Sequence, residues 1–217
     1  MDLSLKNGAT FQIVGPSGCG KTCFVSNLLI NANSIFESPI NHIYWMIGSD
    51  EGESGETYKL LKCLIGNKKV TLLKGFVENW QSLPQRHDVL VIDDLYDEST
   101  KEMNFNNLFT KIARHREVAV IFITQNLFHQ GGHHRTRNLN VHYLTLFKNP
   151  RDSTVIDYVA RQAFHSSRQY LIDAYHDATD DKPHGYLFID FTQSCPEELR
   201  VRTDLFNPDG MIVYKQY

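Results

Sequence analysis

The sequence predicts a three-layer α/β fold: a mostly parallel central sheet between layers of helix, with antiparallel strands added at the C-terminal end. Three observations predict it. Short runs rich in Val, Ile, Phe and Tyr alternate with longer mixed segments, the β-α-β rhythm of a parallel sheet covered by helices. Several runs, such as Val89-Leu90-Val91-Ile92, are apolar throughout rather than alternating, as strands buried on both faces require. The last three strands are short and follow one another without helices between them, which suits antiparallel pairing.

Composition sets the frame. A chain of 217 residues suits one core, and without a linker or repeat residues 1–217 read as a single domain. Hydrophobic residues at 41% and charged residues at 22% are ordinary for a globular protein. No apolar run approaches the roughly 20 residues that span a bilayer, and the N-terminus has no secretory pattern, so an intracellular protein without a membrane partner is expected. The four cysteines, Cys19, Cys23, Cys63 and Cys195, include no C-x-x-C pair, which argues against a disulfide framework and a structural zinc. A net charge of −3 excludes a uniformly basic nucleic-acid glove, so any contact with nucleic acid would have to come from local patches.

The elements follow in order. Residues 11–14, Phe-Gln-Ile-Val, form the first strand, and residues 21–32 the first helix. Strands are expected at residues 43–47 and 70–73, with a helix over 57–65 between them and an acidic Gly/Ser loop over 48–56. A strand over 89–92 precedes a helix over 103–115, on which Asn106, Leu108, Phe109 and Ile112 lie along one stripe. Strands at 118–124 and 142–147, helices at 153–164 and 168–178, and strands at 186–190, 199–202 and 212–214 complete the chain.

Between the first strand and first helix lies Gly15-Pro16-Ser17-Gly18-Cys19-Gly20-Lys21-Thr22, the G-x-x-x-x-G-K-T pattern of a P-loop. Glycines let the backbone curl so that its N–H groups converge on phosphate oxygens, and the helix N-terminus adds its positive end. Lys21 reaches the β- and γ-phosphates of a nucleoside triphosphate, and the Thr22 hydroxyl ligates magnesium. The four fixed positions arise by accident in about one chain in a hundred of this length, and the strand before and helix after make accident rarer. Cys19 reads as filling a variable loop position and Cys23 as packing like a small hydrophobe.

The strand over 89–92 ends in Asp93-Asp94. An acid at such a tip can hold magnesium, as a Walker B acid does, and the next can orient the attacking water. Asp93 is assigned to the metal and Asp94 to water; Asp97 and Glu98 read as solvated loop acids. The strand over 118–124 ends in Gln125-Asn126, and the Gln125 amide can bond the γ-phosphate or the lytic water without changing local charge. Its alternative is a plain cap on the sheet edge.

These motifs together, G-x-x-G-x-G-K-T, then apolar-Asp-Asp, then Phe122-Ile123-Thr124-Gln125-Asn126, resemble the FtsK–HerA superfamily of DNA-translocating ATPases. The chain looks most like its viral branch, the genome-packaging ATPases of poxvirus, Polinton and adintovirus type. Asn138-Leu139-Asn140-Val141, Asp152 leading into a helix, Leu199-Arg200-Val201-Arg202-Thr203 and Asp204-Leu205-Phe206 add weaker support. Cellular members carry Asp-Glu where this chain has Asp93-Asp94, a departure that marks the viral subgroup.

The resemblance implies a RecA/FtsK-like P-loop NTPase fold, ATP and Mg2+ as cofactors, and hydrolysis coupled to sequence-independent translocation of double-stranded DNA. It further implies a homo-oligomeric ring at a viral capsid or portal vertex, in the nucleus or cytoplasm of an infected cell or associated with the virion. It also implies an arginine acting on a neighbour's γ-phosphate, worth about 10³-fold or more in rate. Arg114, Arg116, Arg135 and Arg137 are the choices, with Arg116 first and Arg137 second. The segment Gln130-Gly131-Gly132-His133-His134-Arg135-Thr136-Arg137 reads either as a mobile loop on DNA phosphates or as a solvated basic loop. Zinc on His129, His133 and His134 is disfavoured, and Lys148 and Arg151 are secondary basic candidates. Two other classes compete: a P-loop nucleotide kinase, for which no lid is evident, and a non-hydrolysing nucleotide-binding assembly protein.

Overall fold

The computed structural model describes residues 3–48, 59, 61–62, 64–65, 69–75, 77, 82–95, 113–127, 141–152 and 154–216, the side chain of Arg114 excepted. Its strands are β1 (Thr10–Val14), β2 (Ile43–Ile47), β3 (Val70–Lys74), β4 (Val89–Asp93), β5 (Ala119–Thr124), β6 (Tyr143–Phe147), β7 (Tyr186–Asp190), β8 (Val201–Thr203) and β9 (Ile212–Tyr214). They form one nine-stranded sheet in the order β3-β2-β4-β5-β1-β6-β7-β8-β9. Every pairing from β3 to β6 is parallel, and the three from β6 to β9 are antiparallel.

Two cores sandwich the sheet. Helix α1 (Lys21–Ile30) turns Phe24, Val25, Leu28 and Leu29 onto one face, against Phe11, Ile13, Trp45 and Phe188. Helices α4 (Thr154–Ala163) and α5 (Arg168–Thr179) cover the other. Leu171, Ala174, Tyr175 and Ala178 recur at the i, i+3, i+4, i+7 spacing of an amphipathic helix and meet Leu90, Ile92, Val120 and Leu144. Alternate residues of β1 serve the two cores, Phe11 and Ile13 in one and Val14 in the other, the two-sided burial expected of a central strand.

The helix expected over 21–32 divides at Asn31, whose amide nitrogen donates to Asn27 O at 2.9 Å, and a short α2 (Ala32–Ile35) follows. The strand expected over 199–202 begins later, at Val201. Pro196, which has no N–H for a ladder, opens a 3-10 turn over Glu197–Leu199 instead. Residues 59, 61, 62, 64 and 65 of the helix expected over 57–65 are helical. Of the helix expected over 103–115, only residues 113–115 are described, within α3 (Ala113–Arg116). Gly48 apart, the expected 48–56 loop lies outside the described residues.

Sheet order builds one edge for chemistry. Strand β5 lies between β1 and β4, so the first strand and the acid-bearing strand are not neighbours. Val14 is level with Thr124, and Asp93 with Ile123. Parallel direction therefore brings Gly15, Gln125 and Asp94 out together at the C-terminal edge of the sheet.

Candidate nucleotide site

The loop after β1 has the backbone its glycines allow. Gly18 (φ 77°) and Gly20 (φ 103°) are left-handed, a region costly for residues with a Cβ. At Gly15 the demand is for space: a Cβ would lie 2.6 Å from Phe147 Cβ and 2.7 Å from Cys19 Sγ. The loop thus rests on the end of β6 and delivers Lys21 to the first turn of α1.

Lys21 is 8% exposed, and its Nζ donates to Gly15 O at 2.8 Å and Pro16 O at 2.9 Å. The ammonium is folded into the mouth of its own loop, satisfied by two carbonyls. Thr22 Oγ1 donates to Asp93 Oδ2 at 3.3 Å, and Trp45 Nε1 from β2 donates to the same oxygen at 3.3 Å. Burial pushes the Asp93 carboxyl up to about 6, against the pull of the Trp45 and Thr22 bonds; the Asp94 charge pushes the same way as burial. Asp93 itself is half-buried, the last and least covered residue of its strand.

Asp94 leaves the strand in the left-handed region, φ 52°, a conformation that Asp tolerates better than most residues. The turn exposes its carboxylate, and Gln125 Nε2 donates to Asp94 Oδ2 at 2.7 Å. Lys21, Thr22, Asp93, Asp94 and Gln125, drawn from three strand ends, thus stand at one edge. Among the described residues, no group of three or more His, Cys, Asp or Glu side chains forms a metal cage. A hydroxyl beside one carboxylate suits magnesium, which keeps waters and takes its other oxygens from a bound phosphate.

Other expected residues fall elsewhere. Arg116 is exposed on α3, which precedes β5, so it lies at the opposite edge from the P-loop of its own chain. Its neighbour Glu117 (φ 53°) accepts from Arg86 Nε at 3.0 Å and contacts His87 Nε2 at 2.9 Å. Lys148 pairs with Asp180 at 3.0 Å, and Arg151 is exposed in the turn after β6. Cys23 does not pack as a hydrophobe: it is exposed, because Phe24, Val25 and Leu28 take the inward face of α1. Cys19 is half-buried, and burial raises its thiol. Cys63, Asp97, Glu98, His129, His133, His134, Arg135, Arg137 and the basic segment 130–137 lie outside the described residues.

Two neighbours of the site were not foreseen. Trp45 sits in an apolar strand that looks purely structural, and only the place of β2 beside β4 aims its indole at Asp93. His184 Nδ1 lies 3.1 Å from Cys19 O, across 165 residues of chain that nothing local connects.

The fold and the loop define the class: this is a three-layer P-loop NTPase fold with a mostly parallel sheet and antiparallel C-terminal strands. Among solved structures, the chain is similar to B204, the DNA-packaging ATPase of Sulfolobus turreted icosahedral virus, with a TM-score of 0.58 and 12% identity, covering 98% of this chain and 100% of that one. It is similar also to the genome-packaging NTPase B204 of Sulfolobus turreted icosahedral virus 2 in complex with ATP-gammaS, with a TM-score of 0.57 and 13% identity over 98% and 100% of the two chains. The same protein in complex with AMPPCP gives a TM-score of 0.55 at 13% identity, again over 98% and 100%. No protein-family model and no curated relative matches the sequence.

Proposed function

We propose that this chain is a single-domain, magnesium-dependent ATPase that drives double-stranded DNA into a viral capsid as a homo-oligomeric ring of FtsK–HerA type. The observation that carries the reading is the convergence of Lys21, Thr22, Asp93, Asp94 and Gln125 at one sheet edge, with Thr22 bonded to Asp93 and Gln125 to Asp94. Likeness along nearly the whole length of a DNA-packaging ATPase supports the choice of motor over kinase.

In this reading, binding swings Lys21 from the Gly15 and Pro16 carbonyls onto phosphate oxygens, exchanging two neutral acceptors for charged ones. Thr22 and Asp93 would hold magnesium, whose charge would offset that of the bound phosphates. Asp94 takes the proton of the attacking water or orients it, and Gln125 fixes the free direction of that carboxylate. Arg116, or Arg137 as second choice, serves the neighbouring subunit; at the far edge of its own sheet, Arg116 has only that route to a γ-phosphate. DNA is gripped through its backbone, independently of sequence, in an infected cell.

The test is ATP turnover with and without duplex DNA of arbitrary sequence over a salt series. Stimulation at low salt that fades as salt rises is expected. Turnover that ignores DNA at every salt defeats the motor; phosphate transfer to a small acceptor points to a kinase. Wild type as inactive as Lys21→Ala and Asp94→Asn points to an assembly protein.

A further inference from the structure

The flank of the P-loop away from the acids is also built. Strand β7 runs antiparallel to β6, with Tyr186 beside Phe147, so the turn before β7 arrives at the same edge as the phosphate cradle. That turn carries His184. Its ring lies against Gly20, where a Cβ would come within 3.3 Å of Nδ1, and it bonds the Cys19 carbonyl at 3.1 Å.

The turn is held from both sides. Lys148, at the end of β6, pairs with the Asp180 carboxylate at 3.0 Å and donates to its carbonyl at 3.1 Å. Lys182 pairs with Asp204 at 2.6 Å. Gly185 is pressed against the end of α5, with only 2.3 Å between a would-be Cβ and Ala178 O. An exposed ring on a turn held this firmly, beside a phosphate cradle, is placed for a ligand.

Direction decides which part of the ligand. Thr22, Asp93, Asp94 and Gln125 all stand on the β5–β4 flank of the loop, so a γ-phosphate would lie toward them. A polyphosphate across the N-terminus of α1 would then send its nucleoside to the opposite flank, where His184 stands. The Cys19 carbonyl can only accept, so Nδ1 carries the proton of the neutral ring and Nε2 is left as an acceptor.

We propose that His184 is the nucleoside wall of this site, with its ring against the nucleoside and Nε2 accepting a hydrogen bond from a ribose hydroxyl or a base amino group. The proposal rests on the phosphate-cradle reading, and its test separates the two. Affinities of the full chain for magnesium complexes of ATP and of inorganic tripolyphosphate are measured for wild type, His184→Ala, His184→Gln and Lys21→Ala, each checked for folding by thermal melting.

His184→Ala should weaken ATP about tenfold, the scale of one hydrogen bond, and leave tripolyphosphate unchanged. His184→Gln, which can bond the Cys19 carbonyl and still present an acceptor, should recover part of the loss. Equal weakening of both ligands would make His184 a prop for the loop and overturn the proposal, as would no change in either. Lys21→Ala should weaken both; if it weakens neither, the cradle reading itself falls. In wild type, dideoxy-ATP should bind as weakly as ATP does to His184→Ala if the donor is a ribose hydroxyl, and ITP should do so if it is the base amino group. Full affinity for both analogues overturns the Nε2 bond.

Discussion

Two strands of this protein end almost alike, and their aspartates live in opposite circumstances. Strand β4 reads Val-Leu-Val-Ile-Asp and β7 reads Tyr-Leu-Phe-Ile-Asp. Asp190 of β7 is 5% exposed and fully engaged: Oδ2 accepts from Arg202 at 3.1 Å, and Oδ1 accepts from Thr192 N at 2.9 Å and Thr192 Oγ1 at 2.6 Å. Arg202, 2% exposed, also donates to Leu199 O and to Cys195 Sγ. Asp93 has two long bonds to one oxygen and no ion pair among the described residues. One carboxylate is closed by an ion pair and two further hydrogen bonds; the other is held by hydrogen bonds alone.

The cause is strand direction. β4 runs parallel to β1, so Asp93 emerges at the P-loop edge, whereas β7 runs against β6 and sets Asp190 beside Tyr143 at the far edge. The lesson is that an apolar strand ending in Asp states a position in the chain, not a role. The Leu199-Arg200-Val201-Arg202-Thr203 segment tells the same story: Arg202 is a buried structural ion, and Arg200 bonds the carbonyls of Asp190 and Thr192, each at 2.9 Å.

Substitutions separate the two ends. The largest effect should be on turnover: Asp94→Asn, like Lys21→Ala, should lower the ATPase rate about a thousandfold, with the melting temperature little changed. Asp190→Ala should do the reverse. It strands the Arg202 charge inside the protein and should cost about 3–5 kcal/mol in denaturant unfolding, without touching the P-loop edge. An apolar pair at both positions should recover most of that stability; failure to recover would show that the network holds more than its own charges.

Asp93 should show itself through pH. Folded, it keeps its proton up to about 6, while its ordinary value is 3.8, so across that window the folded state binds more protons than the unfolded one. The contribution of Asp93 to the unfolding free energy without magnesium must then fall as pH rises from about 4 to about 6. Asp93→Asn should lack this contribution, read as a shallower melting-temperature slope; equal slopes would mean that the carboxylate is better solvated than its surroundings indicate. Magnesium should reverse the wild-type loss above that range by supplying the missing charge. The smallest effect is expected of Gln125→Ala: about tenfold in rate, the order of one hydrogen bond, because Asp94 stays in place.

Much of this was legible in order along the chain. The nine strands were expected within two residues of where they lie, because most are short apolar runs closed by polar residues or glycine; β8, Val-Arg-Thr, is the exception and the one whose start was placed two residues early. Gly15 to Thr22 could be read outright, since a contiguous segment encodes its own backbone conformation and Gly18 and Gly20 require nothing distant to be left-handed. Asn31 and Pro196 shifted boundaries through local bonds that periodicity alone does not reveal. Cys23 was misplaced because the outward side of α1 depends on where the sheet lies.

By itself, then, the sequence determined the phosphate loop, the strands and the presence of strand-end acids, all properties of neighbouring residues. Only the tertiary structure decided that Asp93 is the open aspartate and Asp190 the closed one, that Trp45 supports the first, and that His184 stands against the loop. Trp45 and Asp93 are 48 positions apart, His184 and Cys19 165, and even Arg202 reaches Asp190 from 12 positions on, in the next strand. Those relations are set by the order and direction of strands, which arise from packing the whole sheet between its helices and are written in no single segment.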